Sequence, residues 1–268
     1  MRVLCAIVAG AGVLTAYQGP VSPPASGDLC ADRASVSRDE VRHCEVREAT
    51  LTSTPALDID PGRHGGVHIR GWARPDTRVR TRVEGRAATD MRAREIAAGV
   101  RVTAVEGRLR SDGPTTWAGE HWSSSFHLDV PHDTRLAINT ENGGITIEEF
   151  RGDVVMRARN GGIGLRDVGG RMLGRAQNGA LRVELTGQRW NGQGLDVETR
   201  NGGVRITLPA AYSAELETGT VNGRVDIDMR TPTVMQPGRV RLFTTVLGGG
   251  GPKIRAVTTN GGVVVRTN

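Results

Sequence analysis

From about Leu136 onward the chain alternates apolar and polar residues with a period of two, in short runs that break at Asn-Gly pairs. Asn142, Asn160, Asn178, Asn201, Asn222 and Asn260 each precede a glycine (Gly143, Gly161, Gly179, Gly202, Gly223 and Gly261), at successive steps of 18, 18, 23, 21 and 38 residues. Six positions before each asparagine stand Leu136, Val154, Met172, Leu195, Leu216 and Ile254, all large and apolar. Two positions before it are Thr140, Ala158, Ala176, Thr199, Thr220 and Thr258, all small. Three after it are Ile145, Ile163, Leu181, Val204, Val225 and Val263, and five after it are Ile147, Leu165, Val183, Ile206, Ile227 and Val265. Period two puts one strand face inward and the other outward. A unit that recurs near 18 residues and cannot bury its apolar face alone is expected to stack on its neighbours.

The pattern therefore predicts an all-β fold, a right-handed parallel β-solenoid or β-helix with coils of about 18 residues and regular coils over 136–268. Like residues would lie over like at about 4.8 Å per layer. The asparagines would form a ladder of side-chain amides along one corner, and each following glycine would supply a positive φ there. Asn-Gly between alternating strands is also the strongest short hairpin signal. Hairpins, however, do not require columns that keep their character through every copy. On the solenoid reading the longer steps are corner insertions: QRWNGQG (Gln188–Gly194) and Arg230–Pro252 bulge outward and are the first candidates for partner contact.

Upstream, between His64 and Pro131, the runs VHIRGW, TRVRTRVEG, GVRVTAVEGRLR and SSSFHLDVP also alternate and read as strands. Only ATDMRAREIAAG, Ala88 to Gly99, carries a pattern in which a short helix competes, with Gly99 as its end. The first residues, MRVLCAIVAGAGVLTA, have the short basic start and apolar run of a secretory signal, too short to be a membrane span. Pro, Gly and Ser in GPVSPPASG read as a linker. The expected organisation is a signal and linker over 1–27, an N-terminal cap over 28–63, and a repeat domain over 64–268. Cleavage would discard Cys5 and leave Cys30 and Cys44 as one pair in a chain bound for an oxidising compartment, where a disulfide closing that loop is expected.

Composition sharpens this picture in two ways. The 268 residues include 37 glycines but only 3% aromatics, which suits thin stacked strands. The net charge of +6 is carried almost wholly by arginine, Lys253 being the single lysine. That balance favours acidic partners in general. Arg157, Arg159, Arg166, Arg182 and Arg205 are nevertheless spread along strands rather than clustered, as a plain solvated face would be.

The residues HGGVHIRGW (His64–Trp72), VPHDTRLAINTENGGITIEEFRGDV from Val130, RARNGGIGLRDVGG and VETRNGGVRITLP resemble the bacterial putative-adhesin family of β-strand-repeat domains of unknown function. The resemblance runs from about His64 to the C-terminus. It implies a β-helical fold and an envelope location, and it implies no catalytic residues.

Candidate chemistry is sparse. His121, His127 and His132 lie close in sequence, but a metal needs imidazoles converging on one point, and at strand rise positions 121 and 127 are about 20 Å apart. Glu148 and Glu149 point to opposite faces; Asp226 and Asp228 share one, yet the other copies place no acid there. Nucleophile-elbow, phosphate-loop and zinc-ligand spacings are absent from the sequence. The expectation is a non-enzymatic exported protein, periplasmic, cell-surface or secreted, with an adhesin-like scaffold or surface-binding role, no cofactor and no metal. Its partner would be a surface, a polysaccharide or an envelope protein, not nucleic acid. No transmembrane span would remain after signal removal, and the edge of a final coil ending in VVVRTN would allow end-to-end self-association. The alternative is a carbohydrate-active β-helix that binds or cleaves an anionic polysaccharide, which the scarcity of aromatic stacking platforms disfavours.

Overall fold

The computed structural model describes residues 29–31, 40–52, 54–228, 234–236 and 241–268; the expected signal and linker lie outside them. In chain order the elements are β1 (Val41–Leu51), β2 (Ala56–Asp60), β3 (Val67–Trp72), β4 (Thr77–Ala87), α1 (Asp90–Gly99), β5 (Arg101–Val105), β6 (Arg108–Asp112), β7 (His121–Pro131), β8 (Arg135–Asn142) and β9 (Ile145–Glu148). They continue with β10 (Arg151–Asn160), β11 (Ile163–Arg166), β12 (Gly169–Asn178), β13 (Leu181–Glu184), β14 (Gly194–Asn201) and β15 (Val204–Leu208). Last come β16 (Ala214–Asn222), β17 (Val225–Asp228), β18 (Val234–Gln236), β19 (Arg241–Leu247), β20 (Lys253–Asn260) and β21 (Val263–Thr267).

Alternation does what period two requires. Leu136, Ile138, Val154, Met156, Met172 and Leu195 from one set of strands are buried against Ile145, Ile147, Ile163, Leu165, Leu181 and Val204 from the other. Each fully buried aliphatic side chain contributes roughly 1.5–3 kcal/mol. The strands form two sheets. The first has ten strands in the order β1-β4-β7-β3-β9-β11-β13-β15-β21-β17; the second has eleven, β18-β19-β16-β20-β14-β12-β10-β8-β2-β6-β5.

Both sheets are mixed, and this overturns the parallel β-solenoid. Pairing is parallel through the middle, as in β8–β10–β12–β14 and β9–β11–β13–β15. It is antiparallel at β1–β4, β4–β7, β5–β6, β16–β19 and β18–β19. The order of the rungs departs from a solenoid as well. β20 lies between β14 and β16, and β21 lies between β15 and β17, so the segment 253–267 is intercalated between two rungs that precede it in the chain. Recurring columns report which residues share a level of the stack. They carry no information on the sequence in which levels are filled, nor on strands that lack the Asn-Gly signature.

Three further expectations change for the same reason. The 230–252 excursion is no simple bulge: its described part includes β19, which pairs along β16 from Thr220↔Arg241 to Ala214↔Leu247 and buries Phe243 and Leu247. Within Gln188–Gly194, Trp190 is only 3% exposed and its indole N–H donates to the Gly170 carbonyl at 3.0 Å, so that corner seals the core. Finally, β21 is flanked on both sides, so it provides no free edge for end-to-end pairing.

At the other end of the stack β1 pairs with β4 over its full length, while β2 enters the second sheet between β8 and β6. Cys30 is disulfide-bonded to Cys44 of β1. Helix α1 closes the gap where the second sheet stops. Thr89 caps its N-terminus, the hydroxyl accepting from the Arg92 N–H at 3.3 Å. Its buried Ala93, Ile96 and Ala97 pack with Val83, Ala87, Val100 and Trp122. Gly85 lets the helix backbone lie on the strand, because a Cβ there would fall on the Ala93 carbonyl oxygen. Arg47 of β1 donates to the Ala97 and Val100 carbonyls at 2.9 and 2.5 Å, tying the C-terminal end of the helix to the strand beneath it.

Candidate binding face

The six turn asparagines are in register across the second sheet, in the spatial order Asn142, Asn160, Asn178, Asn201, Asn260, Asn222. Each side-chain amide from Asn160 onward donates to the Oδ1 of the asparagine before it in that order, at 2.8, 2.9, 2.8, 2.8 and 2.8 Å. Asn142 ends the row by donating to the Arg63 carbonyl at 2.9 Å. The glycines that follow play a different part from the one expected. None of Gly143, Gly161, Gly179, Gly202, Gly223 and Gly261 has φ in the left-handed region. What demands glycine is close approach: a Cβ at each would fall on the carbonyl oxygen of the glycine one rung away, Gly65 for Gly143.

Outward side chains of the first sheet form two long rows running from strand to strand. One row comprises Arg78, Asp129, Arg70, Glu148, Arg166, Glu184, Thr207, Arg266 and Asp228, mostly alternating in sign. Its members pair locally: Arg78 with Asp129 at 2.7 Å, Arg166 with Glu148 at 3.0 Å, Arg70 with Glu149 at 3.1 Å. The hydrogen bond from Arg166 holds the Glu148 carboxyl below its ordinary range although partial burial opposes it. The Arg166–Glu148 and Arg70–Glu149 pairs lie largely in solvent and order the surface more than they stabilise it, whereas Asp129 is buried beneath Arg78.

The second row comprises Arg80, His127, His68, Thr146, Gly164, Arg182, Arg205, Val264 and Asp226. His127 and His68 stack with ring centroids 5.6 Å apart. Burial, then the neighbouring His68, Arg80 and Arg82, push His127 down to about 4. Farther along, Arg182 and Arg205 stand directly opposite each other on β13 and β15, both exposed. No carboxylate among the described residues lies within 4.0 Å of either guanidinium. They rise beside a floor of Gly162, Gly164, Ala180, Gly203 and Gly262, and with Arg166, Glu148 and Glu184 they line a shallow open trough of about 880 Å³. Like charges opposite one another in a sheet are unfavourable. An anionic group lying between two guanidiniums would remove that repulsion and could accept bidentate hydrogen bonds from both.

Other sequence candidates are dispersed. His127 faces His68, His132 lies against Phe150 with centroids 6.3 Å apart, and His121 lines a separate recess with His64, Glu84 and Arg86. Among the described residues no group of three or more His, Cys, Asp or Glu side chains could hold a metal ion. Glu148 pairs with Arg166 and Glu149 with Arg70. Asp226 pairs with Arg266 at 2.5 Å, which holds its carboxyl low. The strand register brings Arg182 and Arg205 together, a pairing that their even spread along the sequence does not suggest. The signal for it is that both residues stand four positions after an Asn of consecutive repeats.

No helix among the described residues is long and apolar enough to cross a membrane. No protein-family model matches the sequence, and no curated protein matches it significantly. Among solved structures, the chain is similar to a putative cell adhesion protein from Clostridium sporogenes, at 8% identity over 83% of this chain and 100% of that one, with a TM-score of 0.44. It is also similar to a putative adhesin from Bacteroides fragilis, at 9% identity over 84% and 97% with a TM-score of 0.35. A third similar chain is a putative lipid binding protein from Parabacteroides distasonis, at 8% identity over 83% and 96% with a TM-score of 0.29.

Proposed function

We propose that this is an exported, non-enzymatic surface-binding protein, adhesin-like in role, whose contact surface is the trough on the outer face of the first sheet. Supporting export are the basic start and apolar run of the first sixteen residues and the Cys30–Cys44 bond, since such bonds persist in oxidising compartments. The observation that carries the binding site is the in-register pair Arg182 and Arg205, unneutralised above a glycine floor. A partner fitting this face is an extended acidic polymer, such as a uronic-acid polysaccharide, laid across the strands with one carboxylate between the guanidiniums. Of the nearby carboxylates, Glu148, Glu149 and Asp226 are held in ion pairs with Arg166, Arg70 and Arg266, which supports binding over bond cleavage.

The test is binding to immobilised polygalacturonate, with neutral dextran as control, and an assay for reducing ends in the same mixture. Hydrogen bonds to charged groups contribute about 1.5–3 kcal/mol, so R182A/R205A should weaken binding by about tenfold or more. R135A/R171A, altering a separate recess on the second sheet, should leave binding nearly unchanged. Equal loss in both double variants would remove the trough from consideration. Release of reducing ends would overturn the non-enzymatic reading.

A further inference from the structure

Seven Asn-Gly pairs occur in the sequence: six in the ladder, and Asn191-Gly192 in the corner that carries Trp190. Asparagine before glycine is chemically labile, because no glycine side chain hinders the backbone nitrogen from reaching the asparagine Cγ. In that reaction the glycine nitrogen gives its proton to a solvent base and bonds to Cγ. The Cγ–Nδ2 bond breaks and Nδ2 leaves as ammonia, taking up a proton. Water then opens the cyclic imide at either carbonyl, yielding aspartate or isoaspartate. Only water is consumed, and two groups must be free: the side-chain amide, to turn, and the glycine N–H, to attack.

In the interior of the ladder neither is free. Asn160, Asn178, Asn201 and Asn260 each donate through Nδ2 and accept through Oδ1. The glycine N–H groups that follow them donate to the Asn178, Asn201, Asn260 and Asn222 carbonyls at 2.9, 2.9, 2.9 and 3.1 Å. At Asn142 nothing among the described residues accepts from the Gly143 N–H, but the amide is held on both sides, by Arg63 and Asn160, and cannot turn. Asn222 differs. Its Nδ2 is bound to Asn260, but among the described residues nothing donates to its Oδ1 and nothing accepts from the Gly223 N–H. Asn191 lies outside the ladder with an exposed side chain and no hydrogen bond to it among the described residues, although its backbone is clamped on Gly170.

We infer that Asn222 is a site of spontaneous deamidation at the open end of the amide ladder, with Asn191 the second exposed pair, and that the ladder protects the other five. The product would matter locally. A carboxylate at Asn222 cannot donate to Asn260, and an isoaspartate would lengthen the backbone where Gly223 packs on the Gly261 carbonyl.

The experiment is timed incubation of the full chain at mildly alkaline pH, native and in denaturant, followed by peptide mapping with isoaspartate detection. In the native protein the Asn222 peptide should convert several-fold faster than those of Asn160, Asn178, Asn201 and Asn260. In denaturant the Asn-Gly pairs should convert at comparable rates. Native conversion of any interior ladder asparagine as fast as Asn222 would overturn the inference. So would a native order that persists unchanged in denaturant, since local sequence and not the ladder would then set it.

Discussion

At the scale of single residues, the glycines after the turn asparagines show how the same residue type can be required for different reasons. Glycine was expected there for its backbone freedom, but stacked backbones demand it instead. Gly179→Ala would drive a methyl into the Gly161 carbonyl oxygen, and nothing nearby can yield because both partners are backbone. Overpacking of this kind costs about 1–3 kcal/mol or more, so the urea midpoint of G179A should fall markedly. Gly249→Ala, with open space around its Cβ, should leave that midpoint within error.

His127 makes a second residue-scale case. Its folded-state value lies at about 4 against an ordinary 6.5, so between those limits the unfolded chain binds a proton that the native protein refuses. Its contribution to stability is therefore intact above pH 6.5 and is lost as pH falls toward 4. His68, Arg80 and Arg82 face it and reinforce the effect, while Asp129 opposes it. Urea midpoints measured at pH 7 and pH 5 should differ for the native sequence, and the difference should shrink in H127Q. The carboxylates held low, such as Glu148, lose their contributions at lower pH and do not mask this window.

At the scale of elements, strands and their inward faces were legible because burial writes itself into every second position, from Leu136 and Ile138 through to Val263 and Val265. Helix α1 was legible as a local competitor from Ala88 to Gly99, and Thr89 and Gly99 mark its ends. Rung order was not legible, because Leu195 meets Ile254 and Leu216 would have served equally as its neighbour. Identical columns make neighbouring levels interchangeable in sequence. Strand β19 was hidden too: it pairs antiparallel with β16 and follows no Asn-Gly, so Phe243 and Leu247 looked like an insertion. The intercalated rung leads to a sharp expectation. Ending the chain after Pro252 removes β20 and β21 from between their neighbours, exposing two inner edges rather than trimming one outer one. Circular dichroism and proteolysis of such a truncation should show loss of the whole repeat stack, whereas loss of β16–β19 alone would mean that the remaining rungs close without it.

At the scale of the whole molecule, charge on the first sheet lies in rows along the strand-stacking direction: one row mostly alternates in sign, and the row beside it sets Arg182 against Arg205. That pairing was the part of the candidate surface least visible in the sequence, since spread-out arginines read as ordinary solvation until the register sets two of them side by side. The level at which the chain doubles back has another consequence, for the way the protein is made. Residues 253–267 are synthesised after 214–228, yet they separate that segment from 194–208. A chain emerging stepwise cannot seat the 214–228 strands permanently on those of 194–208 without closing the slot that a later piece must fill. Final assembly must wait for that piece, so until it arrives the slot between those two segments stays open and the stack stays unfinished at that level.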